Sequence, residues 1–94
     1  MDRILQAKRE EILRIAAAYG GRNVRVFGSR ARGEAAPGSD FDFLVDLDPH
    51  RSLLDIVAIK QDLEDMLGGK VDVLTEAAIS PYIRARVLKE AIRL

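Results

Sequence analysis

The distribution of apolar and polar residues divides the chain into alternating helical and extended segments. From residue 2 to about 19, Ile4, Leu5, Ile12, Ile15, Ala16 and Tyr19 recur at spacings of three and four, the repeat of one helix face. Gly20-Gly21 stops that run. Val24 to Phe27 is a short apolar segment with the length of a buried strand. A polar, glycine-containing stretch then runs from Gly28 to Ser39, with room for a short helical turn. From Asp40 to Asp48 the alternation has period two. Phe41, Phe43, Val45 and Leu47 share one face, Asp40, Asp42, Asp46 and Asp48 share the other, and Leu44 is the exception. That pattern predicts a strand with one face in the core and one exposed.

Pro49 and His50 break the strand, and Ser52 with Asp55 forms a capping pair for a helix. Leu53, Ile56, Val57, Leu63 and Leu67 are its expected inner face, and Gly68-Gly69 its end. Val71 to Leu74 reads as a third strand. Ser80-Pro81 is an expected N-cap and first-turn proline of a final helix burying Ile83, Val87, Ala91 and Leu94. The order is helix, strand, short helical turn, strand, helix, strand, helix. It predicts one α/β domain over residues 1–94, two layers deep, with a short mixed sheet of about three strands flanked by helices.

Composition narrows the classes. The 94 residues are 48% hydrophobic and 32% charged, which suits a single folded domain and excludes a disordered or fibrous chain. There is no cysteine, hence no disulfide and no thiolate metal site. Fifteen basic and fifteen acidic residues cancel, whereas a protein tracking a nucleic-acid backbone carries a basic surplus. Asp2, Arg3 and Lys8 stand where a signal peptide needs apolar residues, and no apolar run has membrane-spanning length. The expected location is the cytoplasm, with no membrane partner.

Three features carry candidate chemistry. Gly28-Ser29 directly follows a strand, where glycine allows close backbone approach and the free N–H groups of a turn attract an anion. Asp40 and Asp42, two apart on a strand, project from one face, with Phe41 turned to the core. Adjacent carboxylates repel unless a cation lies between them, and Mg²⁺ takes one or two carboxylates together with water and phosphate. Asp72, between Val71 and Val73, adds a third carboxylate if its strand lies beside Asp40–Asp48. Three carboxylates around two metal ions suit in-line nucleotidyl transfer.

Ser29 and Asp40 are separated by ten residues, and the wording is Gly28-Ser29-Arg30-Ala31-Arg32-Gly33 followed by Ser39-Asp40-Phe41-Asp42. This resembles the DNA polymerase β-like nucleotidyltransferase superfamily, and within it the minimal nucleotidyltransferases that act as antitoxins to HEPN-domain toxins. The resemblance implies transfer of a nucleoside monophosphate, usually from ATP, with loss of pyrophosphate. It implies that Asp40 and Asp42 bind metal and that Asp72 is the third acidic residue, assisting the nucleophile. It assigns the triphosphate to Gly28 and Ser29. It also implies a HEPN-type ribonuclease as partner, with a tyrosine hydroxyl as acceptor. A small-molecule hydroxyl and an RNA 3′ end remain alternative acceptors.

Plainer readings stand beside these. Asp40 and Asp42 could simply make a strand face soluble, and Asp72 could cap or pair. Asp46 and Asp48 continue the same face but lie roughly 13 to 20 Å farther along the strand, so solvation is expected for them. Arg30 and Arg32 are placed either to fork onto phosphate oxygens or to pair with Glu34 or a partner. His50 is a solvated turn residue, and Tyr19 and Tyr82 pack at helix edges with hydroxyls to water. Arg84, Arg86, Lys89 and Arg93 give a solvated basic face or a contact for an acidic partner or RNA end. A masking protein with a non-catalytic site is the alternative to an enzyme.

Overall fold

A computed structural model describes residues 2–94. Strands β1 (Gly21–Phe27), β2 (Phe41–Leu47), β3 (Val71–Leu74) and β4 (Ile92–Arg93) form one sheet in the order β3-β2-β1-β4. β2 runs antiparallel to β1 and parallel to β3, and β4 is antiparallel to β1. The fold is thus α+β with a mixed sheet. β2 is central because it is apolar in both directions: Phe41, Phe43 and Val45 are buried on one face and Leu44 on the other.

Helices α1 (Arg3–Ala7), α2 (Arg9–Ala18) and α4 (Leu53–Leu67) supply the rest of the main core. Leu5, Ile12, Ala16, Ile59 and Leu63 pack with Phe41, Phe43, Val45, Val71 and Val73. On the opposite face a smaller cluster of Leu44, Ile79 and Val87 lies with Phe27, Leu74 and Ala91. It is built from a 3₁₀ turn (Glu76–Ala78), the segment after it and helix α5 (Arg84–Glu90). The face of β2 expected to be exposed is therefore half covered. Leu44, the exception to the alternation, is the residue that holds the cover.

The structure corrects several other boundaries. The first helix breaks at Lys8 into α1 and α2. Ile4 is 46% exposed, since neighbours Ile4 and Leu5 lie about 100° apart around a helix and cannot both face inward. In α4, Ser52 and Asp55 do form a capping box, and Gly68 ends the helix in the left-handed conformation. Its buried positions are Ile59 and Leu63, while Leu53 and Val57 are exposed.

The final helix is shorter than expected. Ser80 to Ile83 form turns, α5 starts at Arg84, and the chain becomes extended at Ala91. Ile92 and Arg93 then pair with Val26 and Arg25, and the Leu94 N–H donates to the Val24 carbonyl. This fourth strand covers part of an otherwise open edge of β1 and brings Leu94 to the core. No helix among the described residues is long and apolar enough to cross a membrane.

Candidate functional site

The loop after β1 opens at Gly28, whose φ of 77° and ψ of −159° suit glycine alone. A Cβ there would collide with the Asp42 carboxylate, so the loop backbone and Asp42 share one small space. Helix α3 (Ser29–Arg32) follows, its Ala31 and Arg32 N–H groups donating to the Gly28 carbonyl. The cleft beyond has a volume of about 370 Å³. Gly28, Ser29, Arg32, Asp40 and Asp42 line one side, and Arg86 and Glu90 of α5 line the other.

The sheet register assembles the acids. Asp42 on β2 lies opposite Phe27 of β1 and opposite Asp72 of β3. Residues in register point to the same side of a sheet, so Asp42 and Asp72 share the face that α5 only partly covers. Asp40, just before β2, lies 3.7 Å from the Lys70 ammonium in a largely exposed pair. Burial pushes the Asp42 carboxyl above its ordinary value. The negative charges of Asp72, Asp40 and Glu90 push it further, against a weaker pull from Lys70.

The donor set is therefore hard oxygen whose negative charge is only partly offset by Lys70, which suits a divalent cation. No group of three or more acidic or histidine side chains among the described residues is gathered tightly enough to hold a metal by itself. That suits Mg²⁺ delivered with a nucleotide, which needs one or two carboxylates and takes other ligands from phosphate and water.

Of the residues singled out from sequence, Gly28, Ser29, Arg32, Asp40 and Asp42 converge on the cleft, and Asp72 lies beside Asp42 outside its lining. Arg30 does not join them. It is buried in the opposite direction, 2.8 Å from Asp2 and 2.8 Å from the Ser39 carbonyl, with its guanidinium 3.8 Å from the centre of the Phe41 ring. The expectation that Arg30 meets phosphate is replaced by a structural role, because successive residues of α3 point to different sides. Arg32 faces the cleft and pairs with both Glu34 and Glu90 at 3.0 Å.

Asp46 and Asp48 are ion-paired rather than merely solvated, with Arg25 at 2.8 Å and Arg22 at 3.0 Å. The Tyr19 hydroxyl donates to Asp62 instead of water. Two cleft residues were not read from sequence as part of this site: Arg86, which was placed on a basic helix face, and Glu90, which was not singled out. The signal was present: positions 83, 86, 87 and 90 form one helical stripe, and all four line the cleft.

A family model described as a nucleotidyltransferase domain matches residues 9–94. A candidate protein adenylyltransferase of Methanocaldococcus jannaschii is 42% identical over 84 residues, covering 89% of this chain and 90% of the relative. The protein adenylyltransferase MntA of Thermococcus cleftensis is 36% identical over 92 residues, covering 98% of this chain and 90% of its own length. A solved structure described as a candidate minimal nucleotidyltransferase superposes with a TM-score of 0.86 at 47% identity, covering all of this chain and 97% of that one. A toxin–antitoxin complex solved with AMP-PNP gives a TM-score of 0.75 at 19% identity, covering 89% of this chain and 69% of that one. At that identity the likeness establishes the fold alone.

Proposed function

The chain belongs to the nucleotidyltransferase-domain family, and from that premise we propose that it transfers AMP from ATP to a tyrosine hydroxyl of a HEPN-type ribonuclease, acting as its antitoxin. The observation that carries the reading is the in-register pair Asp42 and Asp72, set beside a cleft that opens on the Gly28 backbone. A further observation supports the transfer to protein: the relatives above are named protein adenylyltransferases.

In this reading Gly28 N–H and the Ser29 hydroxyl hold the β- and γ-phosphate oxygens, and Arg32 and Arg86 flank them. Asp40 and Asp42 would hold the metal, with Asp72 as the third carboxylate. Bound there, Mg²⁺ would offset the negative charge that develops as pyrophosphate leaves. Asp72 accepts the proton of the tyrosine hydroxyl as its oxygen bonds to the α-phosphorus. The bond from that phosphorus to the β-phosphate oxygen breaks, and pyrophosphate carries away the electron pair.

The test uses ATP labelled at the α-phosphate, Mg²⁺ and a purified HEPN-type ribonuclease. Label should move to a ribonuclease tyrosine, and substoichiometric protein should silence the ribonuclease only when ATP is present. Asp72→Asn should lower turnover by about 10²- to 10⁴-fold, the worth of a general base, with ATP and partner binding little changed. One-to-one silencing that ignores ATP and survives Asp72→Asn would instead establish masking.

A further inference from the structure

The Gly28 N–H, assigned above to a phosphate, is already occupied. The Glu90 carboxylate accepts from it at 2.6 Å through Oε2. The same oxygen lies 3.0 Å from Arg32 Nη1, and Oε1 lies 3.3 Å from that nitrogen. An anionic oxygen bridging a loop N–H and a guanidinium is what a phosphate oxygen would offer at the same place. Glu90 is the last residue of α5 and sits mostly out of solvent, with its side chain 15% exposed. It adds a further negative charge beside Asp42, already crowded by Asp72 and Asp40. Arg86, one turn earlier on the same stripe, lines the cleft and takes part in no ion pair among the described residues.

We infer that Glu90 is an internal stand-in for the nucleotide's phosphate, holding the Gly28 N–H and Arg32 until a triphosphate displaces it. This rests on the nucleotide reading above and deepens it. One N–H carries one proton and cannot serve both anions at full strength. Nucleotide binding therefore expels the Glu90 carboxylate, frees Arg32 for phosphate, and breaks the contact tying the end of α5 to the loop after β1. Loading of the cleft is thereby coupled to the position of α5. The stand-in also lessens the cost of an empty site, since without Glu90 the Gly28 N–H and one side of Arg32 would face only the open cleft.

The coupling has a direct test in binding, free of any acceptor. Affinities for Mg²⁺-ATP and for Mg²⁺ with inorganic triphosphate are measured by calorimetry on wild type, Glu90→Gln and Glu90→Ala. The Gly28 amide resonance is followed in each protein. Glu90→Ala should bind both ligands about tenfold more tightly, the value of removing one charge-assisted hydrogen bond from the free protein. Glu90→Gln, which keeps an acceptor oxygen but no charge, should fall between. The ligand-free Gly28 amide should shift upfield in Glu90→Ala, and ligand should move the wild-type resonance as well. If Glu90→Ala binds equally or more weakly while wild type binds normally, Glu90 is no competitor, and the inference fails with the nucleotide reading intact. If none of the three proteins binds Mg²⁺-ATP, the nucleotide reading fails and takes the inference with it.

Discussion

Asp2 and Asp42 are aspartates partly withdrawn from water, yet their surroundings act on them in opposite senses. Burial raises the pKa of both. For Asp2 the hydrogen bonds from Arg30 and from the Leu5 and Ile4 N–H groups, with the Arg30 charge, outweigh burial and hold the carboxyl below its ordinary value. For Asp42 the neighbouring charges are Asp72, Asp40 and Glu90, and they add to burial. One cluster is closed: Asp2 caps α1, pairs with Arg30, and Arg30 lies over Phe41 and meets the Ser39 carbonyl. The other is left open: Asp40 meets Lys70 and Glu90 meets Arg32, but among the described residues Asp42 itself has no cationic partner in contact. The closed cluster belongs to the scaffold, and the crowding of like charge around Asp42 marks the site.

Breaking the closed cluster should give a large change in stability. Arg30→Met leaves Asp2 partly buried without its partner, which costs about 3 kcal/mol. That corresponds to a melting temperature lower by roughly 12 to 24 °C for a domain of this size. Calorimetry and thermal unfolding on the same samples should show this loss with nucleotide affinity unchanged. A large loss of nucleotide affinity at full stability would instead place Arg30 in the site.

Gly28→Val tests where the two regions meet, since the loop is bound to Asp42 by contact. A β-branched residue at this φ and ψ costs about 1–3 kcal/mol in backbone strain, and its Cβ collides with the Asp42 carboxylate. Stability should fall by an amount similar to that in Arg30→Met, while binding of Mg²⁺-ATP falls below detection. Equilibrium binding measured on folded protein checks this, and unchanged affinity would exclude the loop from the phosphate site.

Much of the site was legible because it depends on short-range rules. The β-branched run Val71–Leu74 with Gly68-Gly69 before it set β3 correctly, and the oddity of an aspartate inside it pointed to Asp72. Period two in β2 fixed which face Asp42 takes. That β3 lies beside β2 was a supposition in sequence, and the structure adds that the pairing is parallel, with Asp42 in register with Asp72. Long-range partners were the illegible part. Arg30 reads equally as a phosphate ligand or an ion-pair residue until Asp2, 28 residues earlier, is seen beside it. The spacing of Val87, Ala91 and Leu94 fits a helix equally well as a helix end followed by a strand, and only the open edge of β1 decides for β4. In α4, Leu53 and Ile59 are similar in kind, and the packing of α2 selects Ile59. Glu90 was obscured by the basic residues around it, which drew attention to charge rather than to the stripe.

The most direct test of the open cluster is thermal unfolding of wild type and Asp40→Asn/Asp42→Asn, in chelator and in saturating Mg²⁺-ATP. A carboxyl raised in the folded state contributes stability fully below its unfolded value near 3.8 and loses it as pH rises through the folded value. In chelator at neutral pH the double variant should therefore melt slightly above wild type, and the gap should close on acidification. Mg²⁺-ATP at a hundred times its dissociation constant should stabilise wild type by about 2.7 kcal/mol and the variant hardly at all. If the variant melts below wild type in chelator and gains as much from Mg²⁺-ATP, the two aspartates are scaffold and do not hold the metal.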